Sequence, residues 1–261
     1  MSADYASTPS LSSSEPAAQT LSQTPGLSPL QRVADTFLAP SQTFRDILRS
    51  TNWLLPFLLL VLSGVALAFV VDRQVGYDRV SENVVHQSPK MEDRLSALTP
   101  EQRAHQMHTI ALSNRISAYV APLIVLVVLA LYSLILWASF NFGLGAKTTY
   151  GQVLAVSMYA ALPLLFINLI AILMLYLGAN ADAYDMKNPA GTNLGYFLTD
   201  TSPGLRALLS QIDVVRLWSV ALTVVGMAIV ARKTITQSAV IVVGLWALGL
   251  ALTTGFTAAF S

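Results

Sequence analysis

A chain of 261 residues that is 54% hydrophobic and 11% charged carries less than half the roughly 25% charge of a soluble globular domain, so hydrocarbon and not water is the default solvent for much of it. A net charge of +1 offers no basic field for nucleic acid and no acidic field for cationic substrates. With no Cys, disulfides and thiolate metal sites are excluded and the redox compartment stays open.

Residues 1–27 are dominated by Ser, Thr, Pro and Ala. That composition buries too little apolar area to offset chain entropy, and a disordered tail is expected. The first 30 residues hold no Lys, no Arg and no apolar core, so no cleavable signal peptide is expected and the first span must direct its own insertion. Over residues 28–52, Leu30, Val33, Phe37 and Leu38 recur at helical spacing; Pro40 and Ser41 then restart a turn carrying Phe44, Ile47 and Leu48. Two readings stay open: a broken amphipathic helix on the membrane surface, or a helix pair covering the ends of the spans.

The positions without charge are the main signal. No Asp, Glu, Lys or Arg lies between Ser50 and Val71, Ile116 and Ala146, Thr148 and Ala181, or Leu217 and Ala231, nor from Thr234 to Ser261. A hydrocarbon layer about 30 Å thick takes about 20 apolar residues as helix. The expectation is an all-α integral membrane protein with five transmembrane helices, at 53–71, 117–139, 152–177, 214–231 and 236–260, making one membrane domain over 53–261 behind the amphipathic segment. Two extramembrane loops interrupt it. The first, 72–116, balances six basic residues against six acidic ones and is expected to hold two helices, one opened by Ser88 and Pro89, the other by Thr99, whose capping box Gln102 completes. The second, 178–213, is rich in turn residues and is expected to fold as a lid on the same side.

Between spans two and three the chain reads FGLGAKTTYGQ. Gly143 and Gly145 end one helix, and Thr148 or Thr149 caps the next. Pro163 falls inside span three, where it removes a backbone bond and clashes with the Tyr159 carbonyl; a kink is expected there, facing protein, with Ser157 and Asn168 available to hydrogen-bond. Lys147 is the sole charge between Arg115 and Asp182, and Arg232 and Lys233 lie between spans four and five. Short-loop cations mark the cytoplasmic side. The N-terminus, with Arg32, Arg45 and Arg49, is then cytoplasmic and the C-terminus outside.

The FGLGA turn, the Tyr150-Gly151-Gln152 start, the Ala-Leu-Pro ending at Pro163, the APSQTF lead-in at 39–44 and NPAGTNLGYFL at 188–198 together resemble the bacterial branch of the YIP (Ypt-interacting protein) family, over roughly residues 28–260. The resemblance marks Gly143, Gly145, Lys147, Tyr150, Pro163, Asn188, Pro189, Gly191 and Gly195 as family positions. It implies a five-span protein without catalysis or cofactor, in a bacterial cytoplasmic membrane. Eukaryotic members associate with Rab-type GTPases and with one another; this chain lacks their acidic and aromatic N-terminal motif, which weighs against GTPase binding. Expected partners are membrane lipids and a membrane protein, with homo-oligomerisation as an extension.

Candidate chemistry is sparse. Glu101, His105 and His108 share a helix face and are the metal-ligand candidates, with His86 as a fourth. Asp182, Asp185 and Asp200 miss the spacing of a Ca²⁺ loop. There is no nucleophile motif, and GLGAKTT lacks phosphate-loop spacing. Ser63, Ser133, Ser157, Asn168, Ser219 and Thr223 suit interhelical hydrogen bonds, and Gly64 with Ala68, and Ala247, Ala251 and Gly255, permit close helix contact. The leading functional expectation is a partner-binding or membrane-organising protein; the alternative is a carrier or permease subunit for a small molecule or lipid, with a cavity near Pro163 and Asn168.

Overall fold

The computed structural model describes residues 26–178, 184–186, 188–198 and 203–260. The expected N-terminal tail lies almost wholly outside these residues, as do Asp182 and Asp200. All regular structure among the described residues is helical. Proline at the first helical position opens α1 (Pro29–Leu38), α2 (Pro40–Ile47), α5 (Pro89–Ser96) and α6 (Pro100–Ala138), where its missing N–H costs nothing. Capping boxes form at Ser28 with Gln31, Thr99 with Gln102 and Thr149 with Gln152. The other helices are α3 (Leu54–Gln74), α4 (Tyr77–His86), α7 (Tyr150–Ala160), α8 (Leu164–Tyr176), α9 (Leu194–Phe197), α10 (Pro203–Gln211), α11 (Val214–Val230) and α12 (Ile235–Phe260).

Among the described residues four helical stretches are long and apolar enough to cross a membrane: Leu54–Gln74, Pro100–Gly143, Tyr150–Tyr176 and Ile235–Gly255. The expected fourth span corresponds to α11, which is apolar but 17 residues long, or about 26 Å at 1.5 Å per residue, shorter than a typical hydrocarbon layer. Two helices differ from expectation. The helix opened by Thr99 and the helix of span two are one, because α6 runs unbroken for 39 residues from Pro100, with no helix breaker before Pro122 to stop it. Span three is two helices. Pro163 follows a turn at Ala161 and Leu162, and the Tyr159 carbonyl accepts from Leu162 N–H at 3.1 Å instead. Ser157 and Asn168 do not serve that carbonyl: Ser133 donates to Ser157 Oγ at 2.8 Å, and Asn168 donates to Ser63 Oγ at 3.0 Å.

The main core joins α2, α6, α7, α11 and α12 around Phe44, Leu136, Phe140, Val156, Tyr159 and Met227. Phe44 and Ile47 of α2 are fully buried, and a Cβ added to Gly226 of α11 would lie 2.6 Å from Val156 and 2.9 Å from Phe44. The apolar side of α2 is thus committed to protein, while Leu30 and Leu38 of α1 stay exposed. Arg32 is not a solvated topological cation. Its guanidinium is buried between α1 and α2, donating to Asp46 Oδ2 at 2.5 Å and to the Ser50 carbonyl at 2.9 Å. A second core at the opposite end gathers Val70, Val71, Val75, Tyr77, Val80, Leu175 and Tyr184.

Candidate functional site

Three constructions account for the conspicuous polar residues. The first is the α6–α7 turn. A π turn over Ser139–Gly143 ends the long helix, Gly145 takes φ +60°, and Asn141 clamps the loop, accepting from Thr148 N–H at 2.9 Å and donating to the Thr148 carbonyl at 3.0 Å. Trp137 Nε1 donates to the same carbonyl. Lys233, from the turn between α11 and α12, donates to the Leu144 carbonyl at 2.6 Å. Gly151 packs near Thr51, so these two turns and the α1–α2 pair share one end of the bundle. Lys147 is exposed on that turn, and the Tyr150 hydroxyl donates to the Ala130 carbonyl at 3.0 Å. Asn141 and Trp137 carry no sequence signal of their own; both lie seven or more residues from the group they bind.

The second construction is at the other end, where NPAGTN becomes a clasp on the start of α11. Asn188 and Asn193 are buried and exchange amide hydrogen bonds at 2.7 and 3.2 Å. Asn193 also donates to Asp213 Oδ2 at 3.3 Å, and Thr192 Oγ1 donates to the same oxygen. Asp213 Oδ1 caps α11 by accepting from Val215 and Arg216 N–H at 2.8 and 3.1 Å. Gly195 is required by close approach, since a Cβ there would lie 2.2 Å from Ser210 Oγ and 2.9 Å from the Arg206 carbonyl. Gly191 faces the rings of Tyr196 and Phe197. Asp185 pairs with Arg206 at 3.3 Å. Of these residues Asn188, Pro189, Gly191 and Gly195 are positions the resemblance marks, and Asn193 lies in the same 188–198 run; Asp213, directly before an apolar helix, had an N-cap signature.

The third is a cleft of about 540 Å³ between α3, α6 and α8, within the range of about 300–1,000 Å³ usual for small-ligand pockets. Its walls are apolar, from Leu60, Leu67, Val125, Leu164 and Ile167, and Tyr184, Met186 and Pro189 close one end beside Tyr77 and Arg216. Asn168 lies on the wall with its amide held by Ser63. Burial, helped by Tyr119 and Asp72, pushes the Tyr77 phenol above its ordinary range, and burial does the same to Tyr184. Arg216 Nη1 donates to Gln211 Oε1, and no carboxylate pairs with it among the described residues.

Glu101, His105 and His108 are all exposed on the first turns of α6, and His86 contacts Glu92 at 3.1 Å. Among the described residues no three His, Asp or Glu side chains come together as a metal-holding group.

A family model described as the Yip1 domain matches residues 34–256. No curated protein and no solved structure matches the chain. The match runs from within α1 into α12 and takes in the α6–α7 turn, the break at Pro163 and the asparagine clasp, and on that extent this chain belongs to the Yip1 domain family.

Proposed function

We propose that this is a five-span, non-enzymatic YIP-type protein of a bacterial cytoplasmic membrane that acts by binding a partner helix within the bilayer, a second copy of the chain being the simplest partner. The observation that carries this reading is the outer face of α12. Gly244, Ala247, Ala251 and Gly255 recur along it and are all exposed, and a Cβ added at Gly244 or Gly255 would meet nothing within 4 Å. Only 11% of the most apolar stretch of α12 is buried, against 44% of that within Tyr150–Tyr176. Small residues at this spacing let two helices approach closely in lipid, where packing and not the hydrophobic effect drives association. The glycines that serve internal packing behave differently, as Gly64 and Gly226 are both filled by neighbours.

In this reading α11 is the fourth crossing, at the short end of the spanning range of roughly 17–25 residues, and Arg232 and Lys233 hold their turn, with α1 and α2, on the cytoplasmic side. GTPase binding is not part of it. The absence of native Cys makes the test clean: in liposomes, Ala251→Cys should form a disulfide-linked pair of copies and Leu252→Cys, about a quarter turn away, far less. Absence of any crosslink together with flux of a defined solute would reject partner binding in favour of a carrier.

A further inference from the structure

We propose that the cleft between α3, α6 and α8 is a binding site for one anionic phospholipid of the surrounding leaflet, its acyl chain along the apolar walls and its headgroup phosphate on Arg216. The argument begins with the shape of the cleft. On α3 its lining runs from Leu60 to Val71, about 16 Å along the helix axis at 1.5 Å per residue, so the space is elongated in the direction of a lipid tail. Polarity is graded along that length. The deep end is lined by Leu60, Gly64 and Leu164, and the amide of Asn168 is already held by Ser63 at 3.0 Å. The shallow end carries Arg216 and the two tyrosines, Tyr77 and Tyr184. An apolar channel that ends in a cation and phenols at the level where helices leave the membrane has the polarity of an amphiphile in its normal orientation.

Charge selects the headgroup. Arg216 stands in the first turn of α11, its side chain reaching Gln211 Oε1 through Nη1, and no ion pair joins its guanidinium to a carboxylate among the described residues. A phosphate diester with an uncharged polar group satisfies it by two parallel N–H···O bonds. A zwitterionic headgroup brings its own cation to the same place. The surrounding leaflet, and not the aqueous phase, is the source, because most of the lining is hydrocarbon that a soluble anion would leave unfilled. This inference rests on the membrane reading of the bundle and is independent of the α12 face.

The test is native mass spectrometry of the full chain from detergent micelles loaded with equimolar phosphatidylglycerol and phosphatidylcholine of identical chains. The wild type should retain phosphatidylglycerol about tenfold over phosphatidylcholine, the ratio expected of one charge-assisted contact. Arg216→Gln should lose that preference and Arg216→Lys should keep most of it. Ala118→Leu, which fills the apolar part, should lose both lipids. Equal retention by the wild type, an unchanged preference in Arg216→Gln, or displacement of the lipid by glycerol phosphate would each overturn the proposal. Should Arg216→Gln fail to fold, Ala118→Leu decides, because unaltered retention in that variant excludes the cleft. Failure here leaves the α12 crosslink intact, whereas a chain that stays dispersed without detergent removes the membrane reading beneath both.

Discussion

The ring of Pro122 fills the space in front of Gly64: a Cβ built on that glycine would lie 2.8 Å from Pro122 Cγ. This contact brings α3 and α6 together beside the lipid cleft, and it puts the proline, which has no N–H for the Ala118 carbonyl, where another helix covers the irregularity. Replacing Gly64 by Val should therefore lower stability by about 1–3 kcal/mol through overpacking, read as a drop in melting temperature in detergent. Adding Pro122→Ala should recover part of that loss. Additive effects of the two changes would show that the contact does not couple them.

The Arg32–Asp46 pair, with side chains 6% and 7% exposed, joins α1 to α2 and holds the connection to Ser50. Asp46→Ala leaves a buried cation without its counterion, which costs about 3–5 kcal/mol in comparable pairs. The double change Arg32→Met with Asp46→Leu removes both charges and should be much milder than the single one. Thermal melts of the two variants check this ordering. Because the pair is buried, raising the salt concentration should change the wild-type melt little.

Asp213 serves two structures at once, capping α11 and anchoring the Asn188–Asn193 clasp. Asp213→Ala should cost about 2 kcal/mol or more, combining a lost cap with buried donors left unpaired. The loss should be local. Hydrogen exchange should rise across 188–198 and the first turns of α11 while the α3–α8 interface keeps its protection. Uniform loss of protection over the whole bundle would contradict the assignment of the clasp to one end.

Stretches without charge located most of the helical framework, since an apolar run of sufficient length has few other stable fates in lipid. Helix ends were harder. Hydropathy marks where the solvent changes, and α6 continues through residues 100–116 because nothing in that polar segment breaks a helix. Pro163 was legible as a disruption, but whether the freed Tyr159 carbonyl would find Leu162 or a side chain depends on how far the backbone turns. Arg32 reads as a topological cation in one dimension; its pairing with a carboxylate 14 residues away follows from the angle between two helices, which no local pattern encodes. The same limit applies to Asn193, whose partner Asp213 lies 20 residues on, beyond α9 and α10. Glu101, His105 and His108 lie in one helix, α6, yet spacing along a helix says nothing of whether another element supplies the remaining ligands.

The length of α6 has a mechanical corollary. At 39 residues it measures about 58 Å, nearly twice a hydrocarbon layer of about 30 Å, so that roughly 28 Å of it exceeds the length needed to cross one. It is braced by Asn114 donating to Ser81 and by the Arg115–Asp72 ion pair, so that α4 and the end of α3 hold the helix where its uncharged stretch begins at Ile116.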